Sequence, residues 1–460
     1  VFGAEREGGI DMGQITAAGI APLQSEGIRE PALEAMPRER LAALQLRRLR
    51  ATLGDASARV PWLRDRLQAV GLPTGGLRDV RELDDVQSLP FTAKSDLRDH
   101  YPFGLFARPV EQLARIHASS GTTGKPTVVG YTQADLDTWA ELMARTLHCA
   151  GVRRGDVVHN AYGYGLFTGG LGMHAGAERL GAVVVPVSGG GTERQVALIT
   201  DLRARALCAT PSYALAIAEV AEQMAVDLRE SALRVGLFGA EPWSEAMRRE
   251  IESRLGVLAI DNYGLSEIMG PGVAVECPQQ DGLHGWEDHF LFEVIDPDTL
   301  QPLPEGEAGE LVITTLSKQA LPMLRFRTRD ITRLTTRPCA CGRTHLRMLR
   351  VSGRSDDMLI VRGVNVFASQ IEAVLIGRPH LAPHYQLVVD RRGSLDHVTL
   401  EVEAALGLTK DQYAGLGRDV AHHVKSLVGI SVAVMVLPPG GVPRSQGKAV
   451  RVRDLRPNGD

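Results

Sequence analysis

The sequence predicts an α/β protein of two unequal domains, a large one built on buried strands and a small α+β one behind it. Three observations carry this. Short apolar runs alternate with helical stretches between residues 157 and 260, the pattern of strands covered on both faces. The chain has 460 residues, 44% of them hydrophobic, enough for more than one structural unit. Around 352–366 the texture changes to Gly-Arg-Ser-Asp-Asp followed by an apolar stretch, which marks a junction.

In order, 34–53 carries apolar positions at helical spacing with arginines between and reads as a surface helix. The runs 157–159, 183–187, 207–209, 235–238 and 258–260 read as strands, with helices at 213–224 and 244–255 among them. The segments 291–295, 310–315 and 325–334 are β-rich and suggest a smaller sheet or barrel. After the junction come strands at 386–389 and 398–402, a helix at 410–427 and a strand at 432–436. A Pro/Gly-rich loop then leads into Lys448. The division is therefore 1–30 as a flexible N-terminal segment, 31–352 as the large domain and 353–460 as the small one.

Net charge is −4 and the isoelectric point is near 6.4, so no nucleic-acid or polyanion surface is expected. No apolar run reaches the roughly 18 residues of a membrane helix. The first 29 residues lack a signal-peptide core, and a cytosolic protein is expected. The chain opens on Val1, which suggests a non-standard start or a trimmed end. Five cysteines in so long a chain do not make a disulfide scaffold. Only six of the 51 basic residues are lysines: Lys94, Lys125, Lys318, Lys410, Lys425 and Lys448. Two of these fall in glycine-bearing motifs.

The first such motif is Ser119-Ser120-Gly121-Thr122-Thr123-Gly124-Lys125-Pro126. Glycines let backbone N–H groups turn toward one point, hydroxyls add donors, and the lysine adds charge. Such a loop suits a polyphosphate. It is not a Walker A loop, because Pro126 stands where that motif has Ser or Thr. The wording resembles the phosphate loop of adenylate-forming enzymes, the acyl-CoA synthetase and luciferase superfamily, and within it the phenylacetate–CoA ligase branch. The resemblance runs from about residue 83 to 455 with motifs in matching order.

What it implies is specific. The large domain becomes an adenylation domain that binds ATP and an acid, and the small one a mobile carrier of the catalytic lysine. Gly239-Ala240-Glu241-Pro242 and Asn262-Tyr263-Gly264 would form the adenine site, with Tyr263 as aromatic face. Glu267 would take Mg²⁺, which favours one or two carboxylates plus phosphate oxygens. Asp330 would accept from the ribose hydroxyls; the family has Gly before this Asp, and here it is Arg329. Arg354 would reach the nucleotide and Asp356 would be the hinge. Lys448, in Pro443-Arg444-Ser445-Gln446-Gly447-Lys448, would be catalytic together with Glu267 and Lys125.

For the acid, Tyr162, Tyr164 and Phe167 stand out, since aromatics are 5% of the chain; with Gly239 they suit a flat ring. An aryl or arylacetic acid is expected, including amino- or hydroxy-substituted benzoates that Tyr162, Tyr164 and His174 could bond. The acyl group would pass to CoA. A carrier-protein thiol or small-molecule acceptor is the alternative, and a non-catalytic nucleotide-binding relic is a third reading. Monomer and homodimer stay open. Finally, Cys339 and Cys341 share one turn, while Cys277 and His284 lie about sixty residues earlier. Together they could complete a tetrahedral, structural Zn²⁺ site, with His289 and His345 as rival fourth ligands; the alternative is a pair of buried reduced thiols.

Overall fold

The computed structural model describes residues 27–72, 80–119, 126–355, 359–361, 364–392, 395–444 and 449–455. Its centre is a nine-stranded sheet. Five strands run parallel in the spatial order Val183–Val185, Val157–Asn160, Ala206–Ala209, Val235–Gly239, Leu258–Leu265. Four more extend it antiparallel, Gly270–Glu276, Leu283–Gly285, Arg347–Met348 and Leu334–Thr335. The parallel strands are apolar at nearly every position because helices cover both faces; Ala206–Ala209 and Val235–Gly239 are buried throughout.

The crossover helices begin where their sequences can satisfy free backbone N–H groups. Thr210 accepts from Tyr213 N at 3.3 Å and Pro211 opens the Pro211–Gln223 helix. Ser244 accepts from Met247 N at 3.2 Å ahead of Glu245–Leu255, which stops at Gly256 with φ of +66°. Expected strands and helices all form here, and the first helix is longer than read, Arg38–Arg59.

A second, antiparallel sheet orders Phe290–Ile295, Gly309–Thr315, Phe326–Thr332 and Gly353–Arg354. It is the expected β subunit. Arg325 stays out of its strand because its φ is +43°. The small domain has a four-stranded sheet ordered Ala433–Leu437, Leu395–Ala404, Leu381–Arg392, Val452–Asp454. Helices Ala368–Leu375 and Lys410–Val428 belong to it, with its own core around Leu387, Leu400 and Val420. Ile376 leaves that core and packs with the large domain's Trp243, Met247 and Ile251. No described helix is long and apolar enough to cross a membrane.

Candidate active site

Several of the sequence-predicted residues, Gly239, Ala240, Asn262, Tyr263 and Gly264, lie at the ends of the parallel strands, where ligands sit in open α/β sheets. The phosphate motif leaves the strand Arg115–Ala118 and returns along Val128–Tyr131. Ser119 closes its neck: its N–H donates to Thr127 O at 2.9 Å and its Oγ accepts from Thr127 N at 3.3 Å. Ser120, Gly121, Thr122, Thr123, Gly124 and Lys125 lie outside the described residues. The loop's exit strand is tied to the next motif, because the Tyr131 hydroxyl donates to Met269 O at 2.9 Å. That contact brings the 265–269 turn, with Glu267, against the phosphate loop's base.

Glu267 is buried, and Lys94 Nζ lies 3.2 Å from its Oε1. Lys318 donates from Nζ to the Glu267 carbonyl at 3.3 Å and lies over the Tyr131 ring. Burial lowers the Lys318 ammonium to about 8, against the raising influence of Asp135 and Glu267. One buried carboxylate is a donor set that fits Mg²⁺ beside phosphate oxygens. Lys94 and Lys318 carried no site signal beyond their rarity.

The nucleoside residues form a connected set. The Tyr263 hydroxyl donates to Asp330 Oδ2 at 2.6 Å, and Arg354 donates to Asp330 Oδ1 at 3.1 Å. Asp330 and Arg354 are register partners on adjacent strands, which is why residues 24 apart in sequence meet. Burial first, then Asp330, pushes the Tyr263 phenol well above its ordinary value, so it stays a donor. Gly239 has a firm reason to be glycine: an added Cβ would stand 2.0 Å from Asn262 O on the neighbouring strand. Gly264 is equally confined, 2.0 Å from Gly270 O. Ala240 turns the chain at φ +69°. The Asn262 side chain is used inside the sheet, accepting from Gly272 N at 3.2 Å. Glu241 faces neither base nor sugar alone: its carboxylate accepts from Ser212 N at 2.8 Å and from Ala449 N at 2.6 Å.

The aromatic trio divides. Tyr162 is 4% exposed and belongs to the main core, its hydroxyl 3.5 Å from Leu237 O. Tyr164 is half-buried; its hydroxyl accepts from Asn160 Nδ2 at 2.8 Å and meets His174 Nδ1 at 3.2 Å. Burial pushes that phenol up to about 12. Phe167 lies over Gly169, where a Cβ would come within 2.5 Å of its ring. The preceding Leu166 carbonyl accepts from Ala118 N at 3.0 Å. The aromatic loop therefore leans on the strand that feeds the phosphate loop, so an acid held there would lie close to the nucleotide.

Away from this edge, Cys277, His284, Cys339 and Cys341 place their ligand atoms within 4.8 Å of one another. Cys277 and Cys339 sulfurs are 3.7 Å apart, and Cys341 Sγ is 3.3 Å from His284 Nε2. Tetrahedral zinc with bonds of about 2.3 Å requires sulfurs about 3.8 Å apart, so the donor set fits. The rival histidines are engaged elsewhere. His289 Nδ1 meets Ser317 Oγ at 2.7 Å, and the His345 nitrogens face Gly285 O and Leu33 O.

Comparison with known proteins decides the family. Residues 43–317 match the family model of AMP-binding enzymes, and residues 363–456 match that of the AMP-binding enzyme C-terminal domain. The phenylacetate-coenzyme A ligase of Escherichia coli (strain K12) is 54% identical over 96% of this chain and 99% of its own length. That of Thermus thermophilus is 52% identical over 93% and 99%. The chain belongs to the phenylacetate–CoA ligase family. Among solved structures, 2-hydroxyisobutyryl-CoA ligase in its postadenylation state superposes with a TM-score of 0.86 at 29% identity, covering 92% of this chain and 91% of that one. The same enzyme in its thioesterification state gives 0.68 at 30% identity and 93% and 92% coverage. Both comparisons span both domains, so this phenylacetate–CoA ligase family member carries its small domain as in the former state. Asp356 and Lys448, the expected hinge and catalytic lysine, lie outside the described residues.

Proposed function

We propose that the chain is an AMP-forming ligase that activates an aromatic carboxylic acid of the phenylacetate type with ATP and hands the acyl group to the thiol of CoA. The observation that carries this is the Tyr263–Asp330–Arg354 set, which links the central sheet to the second sheet, in a chain matched over nearly its whole length by phenylacetate-coenzyme A ligases.

A carboxylate is inert to thiols because oxide is a poor leaving group. Its oxygen therefore attacks the α-phosphorus of ATP, a P–O bond forms, and the bond to the β-phosphate oxygen breaks to release pyrophosphate. The thiolate then attacks the acyl carbon, the C–O bond to phosphate breaks, and AMP leaves; the thiol proton goes to solvent. Asp330 accepts from the ribose hydroxyls and Tyr263 presents its ring to adenine. The Ser119–Lys125 loop holds the departing phosphates. Glu267 would hold Mg²⁺, which supplies neutralisation of phosphate charge when bound. Lys448 stabilises charge at the α-phosphate, an electrostatic role. Tyr164 and Phe167 line the acid's side of the site, and Asp356 is the pivot between the two steps.

Cys277, His284, Cys339 and Cys341 would hold a structural zinc, with four protein ligands and no open position. The junction expected at 353 would follow the strand Gly353–Arg354, which still pairs with Phe326–Thr332. Exchange of labelled pyrophosphate into ATP should depend on phenylacetate, and AMP release on both phenylacetate and CoA. An enzyme that exchanges no pyrophosphate with any aromatic acid would refute the assignment.

A further inference from the structure

Among the described residues, three carboxylates accept hydrogen bonds across the two domains. Glu219, on the Pro211–Gln223 helix of the large domain, accepts from Arg444 at 3.0 and 3.2 Å, and His384 Nε2 lies 3.3 Å away. Arg444 is itself fixed within the small domain by a two-pronged pair to the buried Glu403 at 2.7 and 2.8 Å. Glu241 accepts from Ala449 N at 2.6 Å. The third runs the other way. Glu372 of the small domain accepts from Ser244 N, at the start of the large domain's Glu245–Leu255 helix, at 2.8 Å. Within its own domain Glu372 is held by the Tyr385 hydroxyl at 3.2 Å and by Arg451 at 3.5 Å.

These contacts are not scattered. Arg444 and Ala449 bracket the segment that bears Lys448, and Arg451 follows it by three residues. Both helix starts involved, at Ser212 and Ser244, follow strands of the nucleotide-binding edge. Carboxylates suit helix N-termini, where backbone N–H groups are unsatisfied and the dipole favours negative charge. Burial alone would raise the Glu219 carboxyl, yet the bonds from His384 and Arg444 lower it to about 2. It therefore stays charged throughout the physiological range.

Resting on the ligase reading above, we propose that Glu219, Glu241 and Glu372 are positioning residues of the adenylation step. They are latches that hold the small domain in the docked arrangement of the postadenylation state, on the adenylation side of the cycle, and that let go together before the thiol step. Nothing in the apolar contact replaces them, since Ile376 is the small domain's one residue in the large domain's buried cluster among the described residues. Removing a latch should slow the step that needs the docked arrangement and spare the step that needs its release. A residue that merely supported folding would slow both.

The test separates the two half-reactions in the full-length enzyme. Phenylacetate-dependent pyrophosphate exchange reads the first. Conversion of synthetic phenylacetyl-adenylate and CoA to thioester, without ATP, reads the second. Glu219→Gln removes the charge from a half-buried helix face without touching either core; Glu372→Gln does the same at a buried position. Exchange should fall about tenfold or more in each, the loss expected when a charged hydrogen bond goes. Thioester formation should stay within about twofold of the parent or rise. Equal losses in both half-reactions, or no loss in exchange by Glu219→Gln, would overturn the latch. If the parent enzyme itself shows no exchange, the ligase reading falls instead, so the two failures are distinct.

Discussion

Replacing Asp330 with asparagine tests the nucleoside site where its geometry is most explicit. The carboxylate takes Tyr263 on one oxygen at 2.6 Å and Arg354 on the other at 3.1 Å. Asparagine keeps a single acceptor oxygen and no charge. With its amide nitrogen toward Arg354, two donors face each other; with it toward Tyr263, the phenol must reverse its hydrogen. The ribose hydroxyls lose an ionised acceptor in either case. A hydrogen bond to a charged group is worth about 1.5–3 kcal/mol, which corresponds to a roughly 10- to 150-fold weaker grip on ATP. Titration calorimetry with a non-hydrolysable ATP analogue, and the KM for ATP in pyrophosphate exchange, would both read it. Tyr263→Phe leaves both carboxylate oxygens and the aromatic face in place, so its cost should be about 1 kcal/mol, near fivefold. An Asp330→Asn enzyme with ATP affinity within about twofold of the parent would refute the reasoning. So would a Tyr263→Phe effect larger than that of Asp330→Asn.

Protein purified without added zinc should carry about one zinc per chain by elemental analysis, and Cys339→Ser should lose it and melt earlier; a metal-free parent of unchanged stability would remove the site. Gly239→Ala should lower the thermal midpoint and raise the KM for ATP, because its Cβ meets Asn262 O at 2.0 Å and backbone cannot yield as a side chain does; a variant that melts with the parent would contradict the close strand approach. Acid should destabilise the fold through its buried histidines. Burial first, and nearby arginines with it, lowers His148 from 6.5 to about 4. Burial likewise lowers His289 to about 4, the Asp288 charge only partly opposing it. Such groups are neutral when folded while the unfolded chain takes up protons. Their contribution is therefore complete above pH 6.5 and lost as the pH falls toward 4. Thermal midpoints should drop between pH 7 and 5, and His148→Gln should flatten that slope.

Much of the large domain was legible because its information is local. The runs at 157–159, 207–209 and 235–238 are apolar without alternation, and buried parallel strands require that of any sequence. The Cys/His cluster was legible as a spacing, and the structure brings His284 rather than His289 or His345 to it because the strand Leu283–Gly285 pairs with Arg347–Met348 beside the Cys339–Cys341 turn. Less could be read where one residue serves two tasks. Tyr162 carried the same aromatic signal as Phe167, yet it is buried in the main core while Phe167 is not. Asn262 lies in a nucleotide motif, yet its amide holds Gly272 in the sheet. The helix Ala368–Leu375 and the closing strand Val452–Asp454 were not foreseen, since each is short and gains its definition from neighbours distant in sequence.

The interface role of these carboxylates escaped for a different reason, although Glu241 was expected in the adenine site. Glu219, Glu241 and Glu372 bind chiefly backbone N–H groups and one arginine across the domain boundary, and a backbone donor leaves no trace in side-chain identity. Glu219 on its helix surface would pass for a solvated charge, and only the docked partner distinguishes it. Reversible docking needs contacts of this kind. Apolar burial on the scale of a domain core would hold one arrangement too firmly for a cycle that must leave it, whereas charged hydrogen bonds exchange readily for water. The residues proposed as latches are thus the ones least constrained to look unusual. Chemistry in this fold is legible in motifs, whereas the proposed docking rests on pairings between residues of two domains.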